Sequence, residues 1–323
     1  MTARHDGFRG VDLVTLGETM ALLTPPGTGP LRYAGSLRIS VGGAESNVAI
    51  GARRLGLSTA WIGRVGADDF GEMVVQRLRG EDVITRAVID PDRPTGLMVK
   101  VQRTAGLARV TYHRDGSAGS RLAVEDLDHD LINSARVLHV TGITPALSDR
   151  ARKAVHAAVD AGREHGALIS IDYNYRRALW DAPQAAEEFR VLTRKADIVF
   201  ATEDEAVITV GPGGPDELAR RIAELGPGQV IVKRGHLGAV GCIDGHIHQI
   251  AGLPVVAIDQ VGAGDAFAAG YLSALLDGAT PADRMLYATR VGAFAVTVAG
   301  DWEGLPTRDE LEHLDNPADP VIR

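Results

Sequence analysis

The 323-residue sequence contains a single cysteine, Cys242, and no apolar run near the ~18 residues that a membrane-spanning helix needs. One cysteine excludes a disulfide within the chain and fits a reducing compartment. The formal net charge is -8 without any run of five or more like charges, which argues against nucleic acid or an anionic membrane as a partner. With neither an internal repeat nor a low-complexity segment, the expectation is a globular cytoplasmic protein without a nucleic-acid or membrane partner.

The length and a hydrophobic content of 45% favour one large core with a smaller appendage. Short β-branched runs alternate with longer amphipathic runs, which predicts strands and helices in turn. The predicted strands cover 11–17, 59–66, 136–142, 167–174 and 197–201, and the predicted helices cover 44–56, 69–80, 148–165 and 184–195. This alternation predicts an α/β fold with a mainly parallel central sheet and helices on both faces.

Two stretches, 18–40 and 95–113, read as strands without an intervening helix, the second pair joined by a turn at Ala105 and Gly106. We interpret them as a small β-sheet that stands apart from the core as a lid. The predicted division is a core of 8–17, 41–94 and 117–323 and a lid of 18–40 and 95–116.

The stretch DQVGAGDAFAAG, residues 259–270, places small residues and an aspartate in front of an apolar run. Leu253–Ile258 reads as a strand end and Ala266–Leu276 as a helix, so Gly262–Gly264 would form a strand-to-helix turn. Free backbone amides at such a turn bind anions. Asp265 has two interpretations that residues alone leave open, a helix N-cap or a base that faces a hydroxyl about to attack phosphorus.

Three further motifs accompany this stretch: SVGGAESNVAIGARRLG at 40–56, IDYNYR at 171–176 and VKRGHLGAV at 232–240. Together the four motifs resemble, in order, those of the ribokinase-like (PfkB) carbohydrate kinases. The resemblance implies a ribokinase-like fold, a sugar kinase activity, ATP and Mg²⁺ as cofactors, a monovalent cation as a further candidate, and a homodimer that pairs through the lids.

A finer resemblance, to 2-keto-3-deoxygluconate kinases, is carried by TYHRDGSAGSRL at 111–122, HVTGITPALS at 139–148, IDYNYRRALW at 171–180 and AGDWEGLP at 299–306. It implies phosphorylation of that sugar acid to the 6-phosphate. The implied substrate contacts are Gly42, Gly43, Asn47, Tyr112, Arg114, Arg176 and Asp265. The implied catalytic residues are Asp265, as base, with Gly262, Ala263 and Gly264 as an anion hole. The implied nucleotide contacts are Asn174, Lys233, Gly235, Gly238, Gly262 and Gly264, and Glu205 would hold Mg²⁺ through water.

The chemistry of these residue types agrees with the resemblance, although each has a simpler alternative. An arginine fork binds a carboxylate bidentately, and Tyr112 and Arg114, two apart on a strand, share one face. Arg114 is alternatively a solvated lid charge, Asn174 a turn former and Lys233 an ordinary strand-end lysine.

The sequence departs from the family pattern at three positions. Met98 stands where the subgroup usually has a tyrosine, Thr202 replaces an asparagine near Glu205, and Gln260 is an uncommon residue at its site. The rival functions are a fructokinase, which carries a different sequence after its Tyr-x-Arg, and a sugar-binding module without catalysis, which would lack Asp265. An NAD-dependent dehydrogenase would need a GxGxxG turn after the first strand, where this chain has GETMALLTPPG.

Overall fold

A computed structural model describes residues 10–104 and 107–314, and two separate β-sheets organise them. The strands are β1 Val11–Leu16, β2 Met20–Thr24, β3 Arg38–Gly42, β4 Thr59–Gly66, β5 Ile84–Asp90, β6 Leu97–Thr104, β7 Leu107–His113, β8 Ala135–Thr141, β9 Leu168–Asp172, β10 Ile198–Thr202, β11 Gln229–Lys233, β12 Ala239–Ile243 and β13 His246–Ile250. The α-helices are α1 Ala44–Arg54, α2 Asp69–Gly80, α3 His129–Asn133, α4 Ile143–Leu147, α5 Asp149–Glu164, α6 Ala182–Thr193, α7 Glu203–Val210, α8 Pro215–Ala223, α9 Ala263–Leu276, α10 Pro281–Ala295 and α11 Arg308–Leu314.

The large sheet has nine strands in the order β13-β12-β11-β10-β9-β8-β1-β4-β5. The strands from β11 to β5 in this order pair in parallel, while β12 and β13 add an antiparallel edge. Neighbouring residues of β1 pack on opposite faces, Val14 with the cluster that includes α5 and α6 and Leu13 with the cluster that includes α1 and α9. The predicted parallel sheet with helices on both faces is therefore confirmed.

The small sheet has the order β3-β2-β6-β7, with β2 and β6 parallel and the two outer pairs antiparallel. Met20, Leu22 and Met98 form a small apolar cluster in it. The separate sheet that the sequence predicts is thus present, and β3 continues to Gly42. The turn expected at Ala105 and Gly106 lies outside the described residues. The assignment of 18–40 and 95–116 to a lid stays a prediction.

The strand end predicted at Leu253–Ile258 is wrong, because residues 251–260 have no regular structure. Pro254 cannot donate to a strand ladder, and the amide of Ile258 donates 2.7 Å to the carbonyl of Val296, which follows α10, rather than to a neighbouring strand. Helix α9 begins at Ala263, three residues earlier than expected. Among residues 10–104 and 107–314, no helix combines the length and apolar character needed to cross a membrane.

Candidate active site

A cavity of about 330 Å³ lies between the two sheets, where the parallel strands of the large sheet end. Doubly wound sheets bind their ligands at this edge. Most of the predicted site residues line the cavity: Gly43, Asn47, Tyr112, Arg114, Asn174, Arg176, Glu205, Lys233, Gly262, Gly264 and Asp265. The remaining predicted residues do not: Gly42 ends β3, Ala263 begins α9, and Gly235 and Gly238 belong to the turn between β11 and β12.

Asp265 lies in the first turn of α9 and is buried. Its Oδ2 accepts a hydrogen bond of 2.8 Å from Nδ2 of Asn47, and Nδ2 of Asn174 lies 3.5 Å from its Oδ1. The N-cap of the helix is Gly262, without any side-chain cap bond, so the capping interpretation of Asp265 is wrong. Burial, with the nearby charge of Asp172, raises the pKa of Asp265 to about 7.

The backbone turn in front of α9 depends on Gly262. Its φ of 81° is in the left-handed region, and a Cβ there would stand 2.0 Å from the carbonyl oxygen of Asp301. Lys233 lies beside the same turn, with Nζ 3.3 Å from the place of a Cβ on Gly264. The turn therefore places helix N-terminal amides beside a lysine ammonium, the arrangement that binds phosphate.

Lys233, which is partly buried, and the buried Asp172 form an ion pair at the ends of β11 and β9. Burial alone would lower the pKa of Lys233, but the charges of Asp172 and Glu205 outweigh it and hold the pKa above its usual value. Lys233 is therefore a permanent positive charge on the cavity wall.

Glu205, at the start of α7, connects two strand ends. One carboxylate oxygen accepts 2.7 Å from the amide of Tyr175, and the other accepts 2.7 Å from the amide of Thr202. Thr202 reciprocates as the N-cap of α7, so threonine performs the capping role in this helix. Asn174, which precedes Tyr175, has a φ of 43°, a conformation that asparagine tolerates better than most residues. Glu205 and Asn174 thus lie in a fixed arrangement on one wall of the cavity.

The opposite wall belongs to the small sheet. Tyr112 on β7 is directly opposite Met98 on β6, and the guanidinium of Arg114 lies 5.6 Å from the centroid of the Tyr112 ring. Arg114 is buried, and its Nε and Nη2 lie 2.7 and 2.5 Å from Oε2 of Glu18. Arg114 is therefore a paired, buried residue and not the solvated lid charge of the simpler interpretation.

Arg176 differs from Arg114 because no carboxylate among residues 10–104 and 107–314 pairs with it. Its Nη1 donates 3.1 Å to the carbonyl of Tyr175, and its side chain is half-buried in the cavity wall. A guanidinium that donates to one backbone carbonyl has further N–H groups that can bind an anionic ligand.

Sequence reasoning missed three acidic residues that line the cavity, Glu18, Glu45 and Asp301. Glu18 follows the buried strand β1, a position at the ligand-binding edge of the sheet that could have marked it. Glu45 in α1 accepts bonds of 2.7 Å from the hydroxyls of Thr141 and Thr144, and burial raises its pKa. Its neighbours come from a distant part of the chain, so no local pattern marks it.

Comparison with known proteins gives one consistent result. A family model described as pfkB family carbohydrate kinase matches residues 11–308. The chain is 38% identical over 310 residues to 2-dehydro-3-deoxygluconokinase of Thermoproteus tenax, covering 94% of each chain. The crystal structure of 2-dehydro-3-deoxygluconokinase from Thermotoga maritima is similar with a TM-score of 0.88 and 25% identity, covering 95% of this chain and 98% of that chain. The crystal structure of a fructokinase double mutant from Vibrio cholerae, in its form bound to fructose, ADP and potassium ion, is similar with a TM-score of 0.83 and 28% identity, covering 94% of this chain and 98% of that chain.

Proposed function

Because the chain belongs to the pfkB family of carbohydrate kinases, we propose that it transfers a phosphoryl group from ATP to 2-keto-3-deoxygluconate, also named 2-dehydro-3-deoxygluconate, giving the 6-phosphate. The observation that carries the proposal is a shared cavity. The carboxylate of Asp265 and the first turn of α9 face the same space as the guanidinium of Arg176, with which no carboxylate of the described residues pairs. A base, an anion-binding turn and a carboxylate receptor are the three groups that this reaction requires.

Asp265 is the proposed base. With a pKa of about 7, its carboxylate accepts a proton at neutral pH more readily than an ordinary aspartate. Asn47 holds Oδ2, while its own Oδ1 is buried without a donor among the described residues and can accept from a sugar hydroxyl. Asn47 therefore orients the base directly, and its Oδ1 would hold the sugar through a hydroxyl other than the one that loses its proton to Asp265.

The turn of α9 is the proposed anion hole. The amides of Ala263, Gly264 and Asp265 point from a helix N-terminus, where the helix dipole stabilises negative charge. The ammonium of Lys233 adds a fixed positive charge beside the transferring group. These groups stabilise the charge that develops on the phosphoryl oxygens.

Glu205 and Asn174 are the residues that would hold Mg²⁺ through water. Each oxygen of Glu205 accepts one backbone amide, which leaves lone pairs for bound water molecules. Among the described residues no three His, Cys, Asp or Glu side chains converge on one point, which suits an ion held mainly by phosphate and water. When bound, Mg²⁺ supplies charge neutralisation to the nucleotide phosphates. A monovalent cation remains a further candidate cofactor, and activity measured in potassium and in choline salts tests it.

Arg176 is the proposed receptor for the substrate carboxylate, and Arg114, positioned by Glu18, is a second donor. Met98 packs with Met20 and Leu22 within the small sheet and cannot donate a hydrogen bond, so an apolar contact replaces the tyrosine contact expected from the subgroup. A cationic receptor favours a sugar acid over fructose, the substrate of the rival kinase.

The test is ADP release measured with 2-keto-3-deoxygluconate, its C4 epimer and fructose. Arg176→Lys should raise KM for the sugar acid by one to two orders of magnitude, about 1.4 to 3 kcal/mol, because lysine cannot form the bidentate pair. Arg177→Lys, at the exposed neighbouring position, is the matched control and should change KM less than twofold. Equal kcat/KM for fructose and the sugar acid would overturn the assignment of the substrate.

The small sheet is also the proposed surface of a homodimer, and the proposed location of the protein is the cytoplasm. Its strands and the loop between β2 and β3 expose large apolar side chains: Leu31, Tyr33, Leu37, Ile39 and Leu107. Sheets with exposed edges and apolar side chains need cover. Analytical ultracentrifugation should show a dimer that Ile39→Glu converts to a monomer, whereas a wild-type monomer at micromolar concentration contradicts the proposal.

A further inference from the structure

Three charged side chains form a buried cluster beside the cavity. Nζ of Lys100, on β6, lies 2.7 Å from Oδ2 of Asp259 and 2.6 Å from Oδ1 of Asp301. Each of the three residues is less than a tenth exposed. Burial of charged groups costs several kcal/mol per ion unless partners compensate, and the reaction described above uses none of these three. The cluster therefore needs an explanation of its own.

Both carboxylates belong to the peptide segments that hold the turn before α9. Asp259 accepts 3.1 Å from the amide of Val261 and 3.2 Å from the amide of Gly300, so it joins the two segments. The carbonyl of Asp301 lies against Gly262, at 2.0 Å from the place that a Cβ would take. A displacement of either aspartate would displace the amides that form the proposed anion hole.

The ammonium comes from the small sheet. Lys100 pairs opposite Val110, and Met98 pairs opposite Tyr112, two residues further along the same two strands. Residues two apart on a strand point to the same face, so Lys100 lies on the face that carries Met98, Val110 and Tyr112 into the cavity. Lys100 is thus fixed to the wall that would contact the sugar.

We propose that Lys100 is a positioning residue that couples the small sheet to the anion hole. When the sheet lies over the cavity, the two ionic hydrogen bonds hold the turn of α9 in the geometry that binds phosphate. When the sheet moves away, those bonds break and the turn loses its outer support. The inference rests on the proposed function, because it assigns the sugar to the sheet and the phosphates to the turn.

Coupling of this kind makes each ligand strengthen the binding of the other. The experiment uses the full chain and measures the dissociation constant of Mg²⁺ with a non-hydrolysable ATP analogue by calorimetry, with and without saturating 2-keto-3-deoxygluconate. Wild-type protein should bind the analogue roughly tenfold more tightly with the sugar acid present. Lys100→Met, which keeps the chain length and removes the charge, should reduce this ratio to less than twofold, while the sugar acid still slows hydrogen exchange in β7.

The matched control is Lys195→Met, which removes an exposed lysine 2.6 Å from Asp160 and should keep the tenfold ratio. If Lys100→Met does not fold, Asp301→Asn replaces it, since that variant keeps the pair between Lys100 and Asp259; its ratio should fall to roughly threefold. An unchanged ratio in the folded variant would overturn the inference. A wild-type enzyme that phosphorylates the sugar acid without any tightening would also overturn it, whereas a wild-type enzyme inactive on the sugar acid refutes the proposed function instead.

Discussion

Replacement of Asp265 by asparagine removes a charge and the proposed base while it keeps the shape of the side chain. The hydrogen bond from Asn47 can persist, because the asparagine oxygen accepts as the carboxylate does. An amide cannot take a proton from the sugar hydroxyl, and loss of a general base costs ~10² to 10⁴ in rate. We therefore expect kcat to fall by that factor, with the affinity for ATP unchanged or slightly improved.

The same substitution should change stability in a way that depends on pH. The pKa of Asp265 rises on folding from an ordinary 3.8 to about 7, chiefly through burial. Such a group stabilises the native state fully below its ordinary pKa, and this contribution is lost as pH rises through the folded value. At about 1.4 kcal/mol for each pH unit, the ionised carboxylate costs the folded state about 4 kcal/mol above pH 7.

Asparagine does not titrate, so the variant should gain stability relative to wild type as pH rises. The difference in the free energy of unfolding should increase by about 2 to 3 kcal/mol between pH 5 and pH 8, measured by urea denaturation. The control is Asp277→Asn at the other end of α9, where a partly exposed carboxylate lies 2.6 Å from Arg308. An exposed pair contributes about 0 to 1 kcal/mol, so this control should show little dependence on pH.

Two results would refute the reasoning. A stability difference that is the same at pH 5 and pH 8 would show that the pKa of Asp265 is not raised. More than about a tenth of wild-type kcat in the asparagine variant, against an expected general-base loss of ~10² or more, would return Asp265 to a structural role. In wild type, kcat/KM, which reports the pKa of the free enzyme, should fall about tenfold for each pH unit below about 7, because the protonated acid cannot act as a base.

Other parts of the site allow equally direct tests. Hydrogen exchange in β7 should slow when the sugar acid is added, with or without nucleotide, and unchanged exchange there would place the substrate elsewhere. Gly262→Ala should lower kcat at least tenfold, since a Cβ would meet the carbonyl of Asp301, and near-normal kinetics would show that the turn tolerates displacement. Glu18→Ala leaves the buried Arg114 unpaired and should destabilise the protein by about 3 to 5 kcal/mol in urea denaturation, whereas a loss below 1 kcal/mol would indicate that water solvates the arginine.

The fold could be predicted from sequence where hydrophobic periodicity and parallel pairing agree. The alternation of buried strands such as β8 and β9 with amphipathic helices such as α5 needs no tertiary information. The prediction of a strand at 253–258 was wrong, because β-branched residues form a strand only where a neighbouring strand is available for backbone pairing. Pattern alone could not show that no such ladder exists for this segment.

The candidate site divides in a similar way. Asp265, Asn174 and Lys233 lie at strand ends or a helix start, and motifs mark such positions locally. Pairs such as Glu18 with Arg114 join segments 96 residues apart, and Lys100 meets Asp301 across 201 residues. These contacts depend on how the two sheets pack against each other, and the sequence around each residue does not indicate that packing.

The strands of the small sheet come from two separate parts of the chain, 20–42 and the pair 97–104 and 107–113, and the chain between these parts builds α1, β4, α2 and β5. The parallel pairing of β2 with β6, with Leu22 beside Met98, sets the position of the residues that line the cavity. If β6 and β7 of a relative replaced those of this chain, they would lack their own β2, the strand whose pairing fixes the register of β6. Substrate specificity in this fold therefore cannot be transferred with β6 and β7 alone. Laboratory evolution of specificity for new substrates should proceed by point substitutions on the strands of the small sheet, or by exchange of both parts of the chain that form it.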